Sequence, residues 1–235
     1  MRIEELAYHQ TRLGELVLRR RPEPRLGDVD VYEVKLGEEF LMSSLFTAGE
    51  EALADLGLMG LVGDLDVVVG GLGLGYTSAA ALAHKNVVSL TVVETFAEVI
   101  EWHEKNLVPV GETLAGDPRC RFVRGDFFAL SSNGFDAGQP GRLFDAVLLD
   151  IDHTPEHHLD DANAGFYTRQ GLGALKNQLK PSGVFALWSD DQADDDFVNL
   201  LTEVFGEAAG HNIKFPNPYT NEVSVNSVYV AKKKL

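Results

Sequence analysis

The sequence has a single cysteine, Cys120, and few basic residues: 20 Lys and Arg stand against 36 Asp and Glu, a formal net charge of −16 over 235 residues. One cysteine excludes a disulfide framework and a cysteine-based metal site. The shortage of basic residues argues against nucleic-acid binding, because neutralising phosphates requires a clustered basic face. The sequence also lacks a run of about 18 apolar residues and a signal peptide. We therefore expect a cytoplasmic protein that binds neither nucleic acid nor membranes.

The overall composition is that of a globular protein, with 45% hydrophobic and 24% charged residues. We expect a small β-rich region over residues 1–60, followed by a larger domain over residues 61–235. Thr47 and Glu50 have the spacing of a capping box, which predicts a linking helix from Thr47 to about Leu58. Before it, short alternating apolar runs separated by turn residues predict antiparallel strands at 14–21, 29–35 and 39–45.

From residue 64 onward, strand patterns alternate with helical patterns. Repeated β-α-β units require right-handed crossovers, so they predict an α/β fold with a mostly parallel sheet and ligands at the carboxyl ends of its strands. The last two strands are only about seven residues apart, which is too close for a parallel crossover and predicts an antiparallel hairpin. The predicted strands of this seven-stranded sheet are 65–69, 87–93, 121–123, 144–149, 184–188, 212–215 and 223–231. The predicted helices are 77–84, 96–106, 168–179 and 197–205.

The segment 67–77 (VVVGGLGLGYT) is the most glycine-dense motif of the chain. Its glycines directly follow a buried strand, so the backbone can pass close to a ligand and open a helix whose N-terminus favours polar groups. A dinucleotide fingerprint would require glycine where Tyr76 stands. We therefore predict an adenosyl ligand rather than NAD, contacted by Gly71, Gly73, Gly75 and Tyr76. The alternative is a purely structural turn between strand and helix.

Two acidic residues follow the next two strands. Glu94 ends the second strand, where a carboxylate can accept hydrogen bonds from both ribose hydroxyls. Asp126 comes just after the third strand, where it can accept from an adenine amino group while Phe127 or Phe128 flanks the ring. The alternatives are a solvated residue starting a helix for Glu94 and an ordinary Gly-Asp turn for Asp126.

Asp150 and Asp152 follow the fourth strand in the segment LLDIDHTP, at the expected mouth of the ligand crevice. Two carboxylates held at the end of a rigid strand are candidates for binding or deprotonating a cationic amine. The alternative is a loop capped by Asp side chains. A polar cluster follows, which we interpret as the exposed mouth of the crevice rather than as a metal site; it comprises His153, His157, His158, Asp160 and Asp161.

In this order, the glycine loop, Glu94, Asp126 and Leu-Leu-Asp150 resemble the spermidine synthase (polyamine aminopropyltransferase) family. The resemblance extends to residues 31–46 (VYEVKLGEEFLMSSLF), and it implies the Rossmann-like class I methyltransferase fold preceded by a small β-rich N-terminal region. It implies that the glycine loop and Glu94 hold decarboxylated S-adenosylmethionine, that Asp126 contacts its adenine, and that Asp150 accepts the amine proton.

The resemblance also implies where the amine acceptor binds. In the family, the hairpin between the last two strands lines the acceptor site, so we expect Tyr219 and Glu222 to contact substrate, together with Asp152 and His153. No metal is required, because the sulfonium of the donor is already a good leaving group. The expected partner is a small-molecule amine, and a homodimer stays open.

Three departures from the family concern the groups that anchor the aminopropyl chain and the amine. Well-characterised members have an aspartate inside the glycine loop, where this sequence has Gly73 or a neighbour. Their Asp-Ser-Ser-Asp-Pro segment is replaced by residues 150–154 (DIDHT), and their Tyr-Gln pair is replaced by Phe46 and Thr47. The nucleoside pocket therefore transfers from the family, whereas the amine specificity does not.

Three functions stay open: an aminopropyltransferase, an S-adenosylmethionine-dependent small-molecule methyltransferase, and a catalytically inactive nucleotide-binding homologue. No Lys or Arg lies within residues 70–78 to receive a methionine carboxylate, which favours the decarboxylated donor. Residues 145–196 carry eleven acidic and three basic residues. We expect this charge at the ligand edge of the sheet, where it would raise the local concentration of a polycation.

Overall fold

The computed structural model describes residues 3–234, whose strands form two sheets. The smaller sheet is antiparallel, with its four strands in chain order. It comprises β1 Glu4–Thr11, β2 Gly14–Glu23, β3 Val29–Leu36 and β4 Glu39–Ser43. The sequence pattern predicts the last three strands but misses β1. That strand lies at the sheet edge and buries none of its side chains fully, so it lacks a strong apolar alternation.

Helix α1, Ala48–Leu58, links the two sheets and turns its apolar residues toward the core. The predicted capping box at its start is wrong. The Thr47 hydroxyl donates to Glu51 Oε1 at 2.8 Å, and the Thr47 side chain accepts no hydrogen bond from the first turn of the helix. Glu50, which the capping box assigns to this contact, is buried instead. Packing rather than capping therefore fixes the start of α1.

The larger sheet has seven strands in the order β10-β11-β9-β8-β5-β6-β7. Strands β5 to β9 are parallel to one another, and β10 and β11 form an antiparallel hairpin that pairs with β9. The predicted α/β fold with its C-terminal hairpin is confirmed. The strands are β5 Leu65–Gly70, β6 Val87–Glu94, β7 Cys120–Arg124, β8 Phe144–Leu149, β9 Leu179–Ser189, β10 Gly206–Asn217 and β11 Glu222–Lys233.

Helices cover both faces of the larger sheet. The sequence pattern does not predict α4 and α5, which have only 6 and 7 residues. It also assigns Leu179 to a helix, whereas Leu179 pairs with Phe144 and begins β9. The helices are α2 Tyr76–Ala83, α3 Ala97–Glu104, α4 Gly111–Gly116, α5 Phe127–Asn133, α6 Arg169–Lys176 and α7 Asp195–Phe205, with short 3₁₀ helices at Pro24–Leu26 and Asp161–Gly165.

The hydrophobic core lies on both faces of the larger sheet. Val67 and Val69 of β5 point into a cluster that includes α1 and the small sheet, and Val68 points into a second cluster that includes α6 and α7. A strand buried on both faces explains why its sequence is continuously apolar. Since the first cluster spans both sheets, the small sheet is packed onto the larger one, and a domain boundary at residue 60 stays a prediction. Within residues 3–234, no helix is long and apolar enough to cross a membrane.

Candidate active site

A cavity of about 650 Å³ lies where the carboxyl ends of β5, β6, β8 and β9 face the small sheet and α1. This volume is typical of a site for a small molecule. The edge of the sheet contributes the glycine loop and the residues that end each strand. The cavity wall includes Arg12, Met42, Phe46, Glu50, Gly71, Leu72, Gly73, Tyr76, Glu94, Asp126, Phe127, Phe128, Asp150, His153, Asp160, Trp188 and Asp190.

The glycine loop is shaped by close contacts with the protein itself. Gly71 has φ 91°, and a Cβ there would clash with the carbonyl oxygen of Asp150. Gly73 has φ 47°, and a Cβ there would clash with Met42 Sδ. Gly75 points away from the cavity, toward His103. Of the predicted ligand contacts, Gly71, Gly73 and Tyr76 line the cavity, and Gly75 serves the packing of the loop.

Two amide groups of the loop are already hydrogen-bonded within the protein. Leu72 N–H donates to Glu94 Oε2 at 3.0 Å, and Leu74 N–H donates to Met42 Sδ at 3.0 Å. His103 Nε2 lies 2.9 Å from the Gly73 carbonyl oxygen and supports the loop from α3. A pyrophosphate site needs free amides at this position. The loop therefore favours a nucleoside over a dinucleotide, as its glycine spacing predicts.

Glu94 is buried at the end of β6, with both carboxylate oxygens turned to backbone amides. Oε2 accepts from Leu72 N–H, and Oε1 accepts from Phe96 N–H at 2.8 Å. Burial raises the pKa of Glu94, and the hydrogen bonds from the backbone oppose this shift. Glu94 also lines the cavity, where its carboxylate can accept a hydrogen bond from a hydroxyl group of a ligand.

Asp126, Phe127 and Phe128 form the part of the cavity wall next to Glu94. Asp126 caps α5, and its Oδ1 accepts from Phe128 N–H at 2.9 Å and from Ala129 N–H at 3.4 Å. Within residues 3–234, Oδ2 of Asp126 accepts no hydrogen bond and stays free for an amino group. The Phe127 ring is buried against Gly70, and the Phe128 ring meets it edge-on at 5.6 Å between centroids.

Asp150 ends β8 directly against the glycine loop. Its Oδ2 accepts from the Thr77 hydroxyl at 2.6 Å, and its backbone N–H donates to Gly70 at 2.8 Å. Burial raises the pKa of Asp150 to about 6, although the hydrogen bond from Thr77 opposes the shift. None of the ion pairs found among residues 3–234 involves Asp150. The predicted acid is therefore held rigidly, with a carboxylate that carries no neutralising cation.

Glu50 is the residue of this site that the sequence reasoning misses. It lies in the first turn of α1, is 7% exposed and lines the same cavity as Asp150. Burial, and next the charge of Asp150, raise the pKa of Glu50 to about 8. A signal was present in the sequence: Glu50 precedes Leu53 and Ala54 by three and four residues, so it belongs to the apolar face of the helix. An acid on that face needs an explanation other than capping.

The structure places Asp152 outside the cavity wall and corrects its predicted role as a substrate ligand. Asp152 is 1% exposed and accepts from Leu159 N–H at 2.8 Å, from Asn163 Nδ2 at 2.9 Å and from the Tyr167 hydroxyl at 2.8 Å. These bonds hold the loop between β8 and α6. Of the two acids in DIDH, Asp150 faces the cavity and Asp152 organises the loop.

His153 lines the cavity and lies within the polar cluster that the sequence predicts at its mouth. His153 Nε2 lies 3.6 Å from Glu39 Oε2, and its ring lies beside that of His157 at 5.1 Å between centroids. Within residues 3–234, no group of three His, Cys, Asp or Glu side chains is placed to hold a metal ion. Asp160 is paired with Arg12 of the β1–β2 turn at 3.1 Å, and both residues line the cavity mouth.

Tyr219 and Glu222 also lie outside the cavity wall, contrary to their predicted contact with substrate. The Tyr219 hydroxyl donates to Glu23 at 2.9 Å and accepts from Arg21 at 2.6 Å, and its ring packs on Phe46. Glu222 is exposed at the start of β11. The reason is the length of the hairpin: β10 and β11 have 12 residues each, and their tip reaches the small sheet.

The acidic segment 145–196 is less concentrated at the cavity than its sequence suggests. Asp145 lies at the opposite edge of the sheet, paired with Lys180 at 2.7 Å. Asp194 caps α7 by accepting from Asp196 N–H and Phe197 N–H. The carboxylates of the cavity wall come from the whole chain: Glu50, Glu94, Asp126, Asp150, Asp160 and Asp190.

These features define a Rossmann-like α/β fold of the methyltransferase type, with a nucleoside-sized acidic cavity at the carboxyl edge of the sheet. More particularly, the fold is spermidine synthase-like, which confirms the expected fold. A crystal structure of spermidine synthase from Thermotoga maritima superposes with a TM-score of 0.75 at 19% identity, over 98% of this chain and 73% of that chain. A spermidine synthase in complex with the transition state analogue AdoDATO gives 0.76 at 19% identity, over 98% and 74%. No protein-family model matches the sequence, and neither does any curated protein.

Proposed function

We propose that this chain is a transferase that moves an aminopropyl group from decarboxylated S-adenosylmethionine to a polyamine-type amine. The observation that carries the proposal is the arrangement of one cavity: Asp150, without a cation partner among residues 3–234, lies between a nucleoside-type glycine loop and the acidic wall formed with Glu50 and Asp190. The spermidine synthase-like fold supports it, and so does the AdoDATO complex of one structurally similar synthase.

The donor would occupy the side of the cavity formed by the ends of β6 and β7. The carboxylate of Glu94 suits the ribose hydroxyls, and Asp126 Oδ2 suits the adenine amino group. Phe127 and Phe128 supply the apolar wall beside the ring. This placement brings the sulfonium toward Asp150, because Asp150 contacts the same glycine loop.

The chemistry requires that the amine lose a proton before it reacts. An acceptor ammonium hydrogen-bonded to Asp150 transfers one proton to that carboxylate, which frees the nitrogen lone pair. The nitrogen attacks the carbon attached to sulfur, a C–N bond forms, and the C–S bond breaks. Its electron pair stays on sulfur and gives neutral methylthioadenosine. A carboxylate whose pKa lies near 6 is suited to accept a proton and release it again near neutral pH.

The acceptor side of the cavity favours a cation. Glu50, Asp150 and Asp190 face it, and Phe46 and Trp188 contribute aromatic surface. Methylene chains pack on such aromatic surface while ammonium groups bind carboxylates and aromatic faces. This combination suits a flexible alkyl amine better than an anionic or neutral acceptor.

One observation favours a methyltransferase that uses intact S-adenosylmethionine. Arg12 lines the cavity and offers a guanidinium to the methionine carboxylate. Its ion pair with Asp160 argues for the aminopropyl donor, since a methionine carboxylate would have to compete with Asp160 for that guanidinium. Isothermal titration calorimetry with the two nucleosides separates the proposals, and we expect the decarboxylated one to bind more tightly.

The test of function is a transfer assay with either sulfonium donor and a panel of linear diamines and triamines. Mass spectrometry would identify the products, and we expect methylthioadenosine and an amine lengthened by one aminopropyl unit. A methylated amine together with S-adenosylhomocysteine would favour the methyltransferase instead. Release of neither nucleoside with any amine would overturn both enzymatic proposals and favour an inactive nucleotide-binding homologue.

A further inference from the structure

Glu50 stands apart from its neighbour Glu51 on the first turn of α1. Glu51 is exposed and accepts the Thr47 hydroxyl, so it has an ordinary role at a helix start. Glu50 is 7% exposed, yet its carboxylate makes no hydrogen bond or ion pair with another residue in the described part of the chain. It is a buried acid without a partner that lines the cavity.

The surroundings of Glu50 make its burial costly. Asp150 approaches from the end of β8, Asp190 from the end of β9, Tyr76 from α2 and Glu51 from its own helix, and each of these groups is neutral or acidic. The two cationic or basic side chains of the same cavity, Arg12 and His153, lie beside Asp160 and Glu39. A carboxylate in such a place is stabilised by a cation or by a proton, and residues 3–234 place no cation beside Glu50. A ligand with a positive charge would therefore stabilise the carboxylate of Glu50.

We propose that Glu50 is a second catalytic carboxylate, which binds the reacting ammonium of the acceptor from the side of α1 while Asp150 binds it from the side of β8. This inference rests on the proposed aminopropyl transfer. An ammonium has three N–H donors and can satisfy both acids at once.

The pair then accepts one proton from the ammonium. Two carboxylates that line one cavity titrate as a unit and hold a single proton more readily than two negative charges. The freed lone pair attacks the carbon next to the sulfonium, the C–S electron pair goes to sulfur, and the proton stays on the pair until the product leaves. Thr77 anchors Asp150 Oδ2 during this exchange.

The test compares Glu50→Gln with Glu51→Gln, the matched acid one position along the same turn. With decarboxylated S-adenosylmethionine and a reactive amine, we expect E50Q to lose about 10²-fold or more in kcat/KM for the amine. Its affinity for methylthioadenosine, measured by calorimetry, should stay within about twofold, because E50Q leaves the nucleoside wall intact. E51Q should match the wild type, and Glu50→Asp should restore part of the lost rate.

The pH profile of kcat/KM and a measurement of diamine binding distinguish a catalytic role of Glu50 from a structural one. E50Q should shift the profile of kcat/KM, since the remaining acid no longer titrates as one of a pair. In the presence of methylthioadenosine, 1,4-diaminobutane should bind E50Q at least tenfold more weakly than the wild type. Wild-type rate, pH profile and diamine affinity in a folded E50Q would overturn the role of Glu50.

Failure of the proposed function gives a different pattern. If the wild type transfers no aminopropyl group but binds the diamine, and E50Q does not bind it, the amine site at Glu50 stands and the transferase proposal falls. If the wild type neither reacts with nor binds any amine, both proposals are overturned.

Discussion

The two edges of the larger sheet treat buried and half-buried acids in opposite ways. At the amino edge, Asp66, Asp136 and Asp145 are paired with Arg142 and Lys180 at 2.6 to 3.1 Å. The hydrogen bond from Arg142 lowers the pKa of Asp136; for Asp66, the bonds from Arg142 and Lys180 outweigh burial and lower its pKa as well.

At the carboxyl edge, Glu50, Glu94 and Asp150 take part in none of the ion pairs found within residues 3–234, and burial raises the pKa of each. One sheet thus uses the same side-chain chemistry for two purposes. Paired acids join strand starts and loops, whereas acids without cations form the wall of a cavity. Acids without a cation partner lower the stability of the folded protein, and such acids are typical of functional sites.

The largest difference between the two edges is expected when one acid at each edge is neutralised. We expect Asp150→Asn to lose about 10²- to 10⁴-fold in turnover, because it removes the carboxylate that we propose as the proton acceptor. Asp145→Asn, at the amino edge, should keep the turnover of the folded protein. Steady-state rates per active site measure both, and equal losses in the two variants would show that the edges do not differ in function.

Removing a cation tests the amino edge. Arg142→Ala removes the cation that Asp66 and Asp136 share but leaves them Lys180 and Arg121, so we expect a loss of about 2 kcal/mol in the free energy of unfolding. Arg12→Ala, which breaks the exposed pair with Asp160 at the cavity mouth, should cost less than about 1 kcal/mol. Urea denaturation gives both values. Similar losses would mean that the buried pairs contribute no more than the exposed one.

The pH dependence of stability should have opposite signs at the two edges. The folded pKa of Glu50, about 8, lies above its ordinary 4.5, so the folded state binds the extra proton and stability falls as pH rises through this window. Removing this group by E50Q should therefore stabilise the protein relative to the wild type, and the difference in Tm should increase from pH 5 to pH 9.

At Asp136 the sign is reversed. Its lowered pKa contributes stability above the ordinary value of 3.8, and that stability is lost as pH falls through the folded value. Asp136→Asn should therefore cost stability at pH 7 and progressively less as the pH falls below 3.8, as measured by thermal melts. A Tm difference between E50Q and wild type that stays flat from pH 5 to pH 9 would contradict the burial of Glu50.

The smallest expected effect concerns the hairpin tip. Tyr219→Phe removes the hydroxyl that joins Glu23 and Arg21, and we expect it to cost about 1 kcal/mol of stability. The KM for the amine should not change, because Tyr219 lies outside the cavity wall. A raised KM with unchanged stability would restore the acceptor role that the family resemblance implies.

Much of the fold is predictable because it follows from periodicity. β8 is predicted with the bounds that it has in the structure, since Phe144–Leu149 is a short apolar run covered on both faces. The glycine loop, Glu94 and Asp150 are predictable because strand ends in a parallel sheet meet at one edge. β1 and α5 escape prediction: one is a polar edge strand, and the other is a single short helix with few periodic residues.

The site residues that are missed depend on contacts distant in sequence. Asp150 and Asp152 look equivalent in the sequence, and only the path of the following loop, closed by Tyr167, separates a cavity acid from a structural one. Glu50 fits a capping box so well locally that its burial against Asp150, one hundred positions away, stays hidden. Tyr219 is drawn to the small sheet by Arg21 and Glu23, which no local pattern connects to the hairpin.

The Arg12–Asp160 pair has a kinetic consequence for any ligand of the cavity. It bridges the β1–β2 turn and the loop after β8 across the opening, but Arg12 is 63% exposed, so the bond is weak and exchanges readily with solvent ions. An arriving polycation can displace the guanidinium from Asp160 and take its place. A cationic ligand would then enter by replacing the positive charge of Arg12 beside Asp160.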